Sequence, residues 1–172
     1  ETKWILSSQL KSEPSGSIVS IVNPFNSNDI VGEVKTATVS DVNKSIENAT
    51  LWTIPNEEKT IILNKIADLY EKNFIEIFAI LTREAGKTIS DAISEIREAV
   101  DFIRYYSFES SKLTDSKPLG KIVCISPCNF PLAIFTGQII AALSVGNAVL
   151  SKPADYTPII AIRAVELIYK AG

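Results

Sequence analysis

The chain has 172 residues, 46% of them apolar, and a formal net charge of −3. An isoelectric point near 5.1 excludes a nucleic-acid surface, which needs clustered lysine and arginine. Histidine is absent, which removes Ser-His-Asp and Cys-His catalysis and every zinc site that depends on imidazole.

Residues 1–16 read as a lead-in closed by Glu13-Pro14-Ser15-Gly16. They lack the apolar core of a secretory signal. SIVSIVNP (17–24) and DIVGEVKTA (29–37) are β-branched runs joined by Phe25-Asn26-Ser27-Asn28, the pattern of a hairpin. Ser40-Asp41 offers an N-cap for a short helix through Ala49. Two long amphipathic helices follow. The first carries Ile62, Ile66, Leu69, Ile77 and Leu81 at helical spacing, and the second runs from Thr88 to Phe108 with Ile89, Ile93, Ile96, Val100 and Ile103 as its apolar stripe. Gly86 suits the C′ position between them.

After Pro118 the pattern changes. KIVCIS (121–126) reads as a strand, Pro131 to Val145 as a helix apolar on nearly all sides, and NAVLSKP (147–153) as a second strand. Thr157-Pro158 opens a last helix to Gly172. Strand, helix, strand, helix with apolar strands predicts an α/β fold with a parallel sheet covered on both faces. The expected division is a hairpin and helical part over 17–117, then the first two βα units of a Rossmann-like sheet over 118–172. Two parallel strands make a weak sheet by themselves, so the chain is expected to be the front part of a longer domain.

Two patterns here mislead. From Ile122 to Ser151 there are 30 residues without a charge. Pro127, Asn129, Pro131, Gln138 and Asn147 divide them into strand, helix and strand, so no transmembrane span is expected. Glu84-Ala85-Gly86-Lys87-Thr88 looks like the end of a phosphate-binding loop, but Leu81 stands where the first glycine belongs.

Cys124 and Cys128 fall in that uncharged stretch. A strand through Cys124 holds them too far apart for easy bridging, so reduced thiols and a cytoplasmic protein are expected. Without a histidine to activate it, Cys128 reads as a small buried apolar residue.

Open parallel sheets bind ligands beyond the carboxyl ends of their strands. Ser126-Pro127-Cys128-Asn129 and Ser151-Lys152-Pro153-Ala154-Asp155 are the polar exceptions there, and adjacent strands would set them side by side. Lys152 donates and Asp155 accepts, a combination suited to sugar hydroxyls. Asn129, at the mouth of a helix, suits a developing oxyanion. Spacing alone leaves open a plainer reading: Asn129 as a helix cap and Lys152 as a solvated lysine.

GKIVCISPCNFPLAIFTGQIIAALSVGNAVLSKPADYTP, LTREAGKTISDAISEIREAVDFIRYYS and VNPFNSNDIVGEV resemble segments of the aldehyde dehydrogenase superfamily. The wording of EAGKTISDAISEIREAVDFIRYY and SPCNFPLAIFTGQIIAALSVGN is most similar to the glutamate-semialdehyde (1-pyrroline-5-carboxylate) dehydrogenase module of bacterial bifunctional proline-utilisation proteins. The resemblance implies oxidation of L-glutamate γ-semialdehyde to glutamate with NAD, through a thiohemiacetal and a thioester. It also allows FAD in a separate proline dehydrogenase domain, and implies a homo-oligomeric full-length protein.

The resemblance assigns residues too. Asn129 matches the oxyanion-stabilising asparagine, Lys152 the lysine on the adenosine ribose, and Ile125, Ser126 and Pro127 the strand end lining that ribose. Asp155 stands where many members have glutamate. Cys128 stands where an aromatic residue is usual and is not the nucleophile. Glu98, which periodicity leaves off the apolar stripe, matches a glutamate close to the active site, and Phe130 would line the same tunnel. The family's catalytic cysteine and general-base glutamate have no counterpart in these 172 residues, so the segment alone is expected to be inactive. The alternative is a non-catalytic nucleotide-binding or assembly module ending at Gly172.

Overall fold

The computed structural model describes residues 14–172, so most of the expected lead-in lies outside the described residues. The hairpin pairs β1 (Ile18–Asn23) with β2 (Asn26–Lys35). Ile18 faces Lys35 and Ile21 faces Gly32, with a bulge following Ile21. Only Pro24-Phe25 separates the strands. Asn23 shapes the turn: its Oδ1 accepts from the Phe25 N–H at 3.0 Å, and its Nδ2 donates to Asp29 at 3.0 Å. Ile21, Val31 and Val34 face the core.

Helix α1 (Val39–Asn48) is capped by Thr38, two residues before the expected cap. Thr38 and Asp41 form a capping box: the Asp41 N–H donates to Thr38 Oγ1 at 3.3 Å, and the Thr38 N–H donates to Asp41 Oδ2 at 2.8 Å. The single long helix expected next is two, α2 (Asn56–Lys72) and α3 (Phe74–Ala85). Asn73 breaks it, its side-chain amide donating to the Leu69 carbonyl at 2.7 Å. The chain leaves α3 through Gly86 at φ 65°. A Cβ there would also lie 3.1 Å from Pro24 and Phe25, so the left-handed turn calls for glycine and close hairpin packing favours it.

Helix α4 (Ile89–Ser111) matches the helix expected over Thr88–Phe108, with Thr88 as its cap, but its buried face is rotated. Ile89 and Ile93 are exposed, and the face that packs is Ala92, Glu95, Ile96, Ala99, Val100, Ile103 and Ser107. Its alanines let neighbouring helices approach closely. The same economy appears at Gly137, where a Cβ would lie 2.9 Å from the Phe102 ring.

Strands β3 (Lys121–Ile125) and β4 (Ala148–Lys152) are parallel and paired in register from Lys121–Ala148 to Ile125–Lys152. Helix α5 (Ala133–Ser144) joins them and packs against both, and α6 (Pro158–Ala171) packs on α2, α3 and β2. The expectation of two covered sheet faces does not hold among the described residues. Cys124 is buried, whereas Val123 and Ile125 point from the opposite face and are 59% and 67% exposed. Side chains alternate along a strand, and α5 covers one side only.

One buried cluster runs from Ile21 through α2–α5 to Ala171. Within it Tyr70 is fully buried, its hydroxyl 3.2 Å from Thr136 Oγ1, and burial pushes its phenol well above the usual range. Among the described residues no helix is long and apolar enough to cross a membrane.

Candidate active site at the strand ends

The carboxyl ends of β3 and β4 meet as the sequence predicts. Ile125 lies opposite Lys152, and the Ser126 N–H extends the pairing by donating to the Lys152 carbonyl at 3.1 Å. Ser126 turns inward, is buried, and donates through its hydroxyl to Gln138 Oε1 on α5 at 3.3 Å. Pro127, Cys128 and Asn129 then follow on the surface, with Phe130 39% exposed. The exposure of Cys128 corrects its reading as a small buried residue: it sits at the crest of the turn, outside the α5 packing that buries Leu132 and Phe135.

Lys152 Nζ donates to Asp155 Oδ1 at 2.6 Å, with both side chains more than half exposed. A solvated pair of this kind adds little to stability, so ligand hydroxyls can compete for both partners at small cost. Two ammonium protons and the second carboxylate oxygen stay available for that purpose. Ile125, Ser126, Lys152 and Asp155 thus share one mouth, with Pro127, Asn129 and Phe130 on the turn beside it. Glu98 lies apart on α4. It is half-buried rather than solvated and lines an open groove with Ser94, Arg97, Asp101, Phe102 and Tyr105.

The turn is held from behind by a residue the sequence reading passed over. Glu95, 1% exposed, accepts from the Leu132 and Ala133 N–H groups at 3.2 and 2.9 Å. Its other oxygen lies 2.9 Å from Lys87 Nζ. That ammonium also sits 4.6 Å from the centre of the Phe130 ring. This arrangement corrects the electrostatic argument for Asn129. The helix mouth spends its positive end on Glu95, so Asn129 neither caps α5 nor borrows its dipole, and must act through its own amide.

The next helix repeats the device. Glu84, also buried, accepts from the Ile159 and Ile160 N–H groups at 2.6 and 2.8 Å. Burial pushes its carboxyl up to about 7 against the pull of those two amides. Glu84 and Glu95 flank the Gly86-Lys87 segment and plug the N-termini of α6 and α5. Helical phase was the available signal for Glu95, which falls between Ala92 and Ala99 on the packed face.

A hairpin and helices α1–α4 lead into a parallel βαβα unit with polar strand ends, and the chain matches the aldehyde dehydrogenase family over residues 10–172. The chain belongs to that family. Among its relatives, it is 48% identical over 165 residues to the bifunctional protein PutA of Klebsiella aerogenes, covering 91% of this chain and 13% of that protein. It is 37% identical over 175 residues to the 1-pyrroline-5-carboxylate dehydrogenase of Anoxybacillus flavithermus, covering 90% of this chain and 34% of that one. Of solved structures, PutA from Bdellovibrio bacteriovorus superposes with a TM-score of 0.88 at 31% identity, covering 94% of this chain and 19% of that one. The 1-pyrroline-5-carboxylate dehydrogenase from Thermus with bound NAD gives 0.84 at 29% identity, covering 92% and 35%. The chain therefore spans about an eighth of the PutA relatives it matches.

Proposed function

We propose that this chain supplies the adenosine-ribose end of an NAD site and the oxyanion donor of an enzyme that oxidises L-glutamate γ-semialdehyde, the open form of 1-pyrroline-5-carboxylate, to glutamate. The observation that carries the reading is the mouth shared by Ser126, Lys152 and Asp155, with Asn129 on the adjoining turn. Its chemistry fits a ribose: an ammonium and a carboxylate stand together at the strand ends. The relatives' names and the Thermus enzyme crystallised with NAD favour the same cofactor and substrate.

In this reading Lys152 and Asp155 hold the ribose hydroxyls, and Ile125, Ser126 and Pro127 form its wall. NAD, when bound, accepts the hydride that leaves the aldehyde carbon. Asn129 donates its Nδ2–H to the aldehyde oxygen as negative charge grows there. Phe130 and Glu98 border the substrate. The proposal includes a cytoplasmic, homo-oligomeric complete enzyme, with a flavin-dependent proline-oxidising unit elsewhere in the polypeptide. The 172 residues alone are inactive in this reading, since Cys124 is buried, burial raises its thiol, and no histidine is present to activate Cys128.

The enzyme expressed from its complete reading frame should reduce NAD with glutamate semialdehyde, and the isolated 172 residues should not. Lys152→Ala should raise KM for NAD by about 10- to 100-fold, the worth of a charged hydrogen bond. Turnover at saturating NAD should stay nearly constant, because the ribose is held equally in ground and transition states. Loss of turnover at saturating NAD with KM unchanged would refute the assignment.

A further inference from the structure

Two anchors hold the turn that carries Asn129. Upstream, Ser126 is tied to β4 through the Lys152 carbonyl and to α5 through Gln138. Downstream, Leu132 and Ala133 are tied to Glu95. Pro127 and Pro131, whose rings fix φ, stand between these anchors. The residue after Asn129 is Phe130, and its ring lies under the ammonium that pairs with Glu95.

Glu95 is therefore more than a helix cap. Its carboxylate is buried to 1%, and it joins three things that bear on Asn129: the backbone two residues beyond Phe130, the Lys87 ammonium, and through that ammonium the Phe130 ring. An uncharged cap could also accept from the two N–H groups, but it would not pair with the Lys87 ammonium that stands over the ring.

We infer that Glu95 and Lys87 are positioning residues for the reaction, a charged clamp that fixes the side-chain amide of Asn129 through the Phe130–Ala133 backbone. The inference rests on the reading of Asn129 as the oxyanion donor. In this role neither residue contacts substrate. Their contribution is orientation, and a displacement of about 1 Å in such a donor lowers turnover by about 100-fold.

The test is steady-state kinetics of the complete enzyme with aldehyde and NAD varied separately, accompanied by thermal unfolding. Single neutralisation leaves one buried charge without its partner and risks misfolding. The informative variant is therefore Glu95→Gln combined with Lys87→Met, which removes both charges and keeps an acceptor for the α5 amides. The clamp predicts a fall in kcat of about 10- to 100-fold, with KM for NAD changed by less than about twofold. Lys87→Arg, which keeps the cation, should retain most activity. The decisive comparison is the same pair in an Asn129→Ala background, where no further loss is expected because the group being aimed is gone. An equal loss in that background, or normal turnover in the neutral pair while Asn129→Ala is slow, overturns the clamp alone. Normal turnover in Asn129→Ala itself overturns the oxyanion reading and the clamp with it.

Discussion

Replacing Asn129 by alanine in the complete enzyme should lower turnover by about 10²–10³, the usual cost of one oxyanion donor. The Michaelis constant for NAD should hardly move. The reason lies in what surrounds the residue. The Leu132 and Ala133 amides nearest the turn are already bonded to Glu95, so neither stands free to compensate. The amide also meets full negative charge only as the aldehyde oxygen is converted to an alkoxide, so its loss falls on the transition state more than on the bound substrate. Steady-state kinetics separate these outcomes. A variant with normal kcat and a raised KM for NAD would place Asn129 in the cofactor site instead.

Replacing Glu84 by alanine should cost about 2–4 kcal/mol of stability, because the buried Ile159 and Ile160 N–H groups lose their acceptor. The native protein should also show a pH dependence that Glu84→Gln removes. Folding raises this carboxyl from its ordinary 4.5 to about 7, so the folded state binds the proton more tightly than the unfolded one. The stabilising contribution is complete below 4.5 and is lost as pH rises through about 7, an effect of about 3 kcal/mol at 1.36 kcal/mol per pKa unit. Thermal unfolding across that range, with amide exchange at Ile159 and Ile160, is the check. Stability that rises over the same interval would show that the two amides outweigh burial.

Much of the architecture was legible because it rests on local signals. The hairpin followed from β-branched runs on either side of a turn, although the turn is Pro24-Phe25 and not the expected Phe25–Asn28, and α4 followed from its apolar period. The βαβα order followed from apolar strands flanked by Gly146 and Pro158. What failed depended on tertiary context. Asn73 splits a continuous apolar period because its side chain bonds the Leu69 carbonyl, a choice that periodicity does not register. The buried face of α4 is set by alanines admitting close neighbours, so the larger Ile89 and Ile93 misled the phase.

The strand-end residues were found because polar groups stood out in an apolar stretch. Glu95 was passed over, and Glu84 and Lys87 were weighed only as a phosphate-loop pattern, for the opposite reason: a charged residue looks solvated until the helix end or carboxylate it meets is in place. The sheet face carrying Val123 and Ile125 was expected to be covered, and one-sided packing by α5 leaves it open among the described residues.

The two plugged helix ends give the account its most direct test. In many dinucleotide folds the phosphates rest on a helix N-terminus. Here Glu95 and Glu84 occupy those of α5 and α6, which leaves the strand-end mouth for the ribose. A crystal structure of the complete enzyme with NAD should show the adenosine ribose hydroxyls within hydrogen-bonding distance of Lys152, beside Ser126 and Pro127, with both carboxylates still on their amides. Ribose density away from Lys152, or a cofactor phosphate displacing Glu95 or Glu84 from its helix, would contradict it.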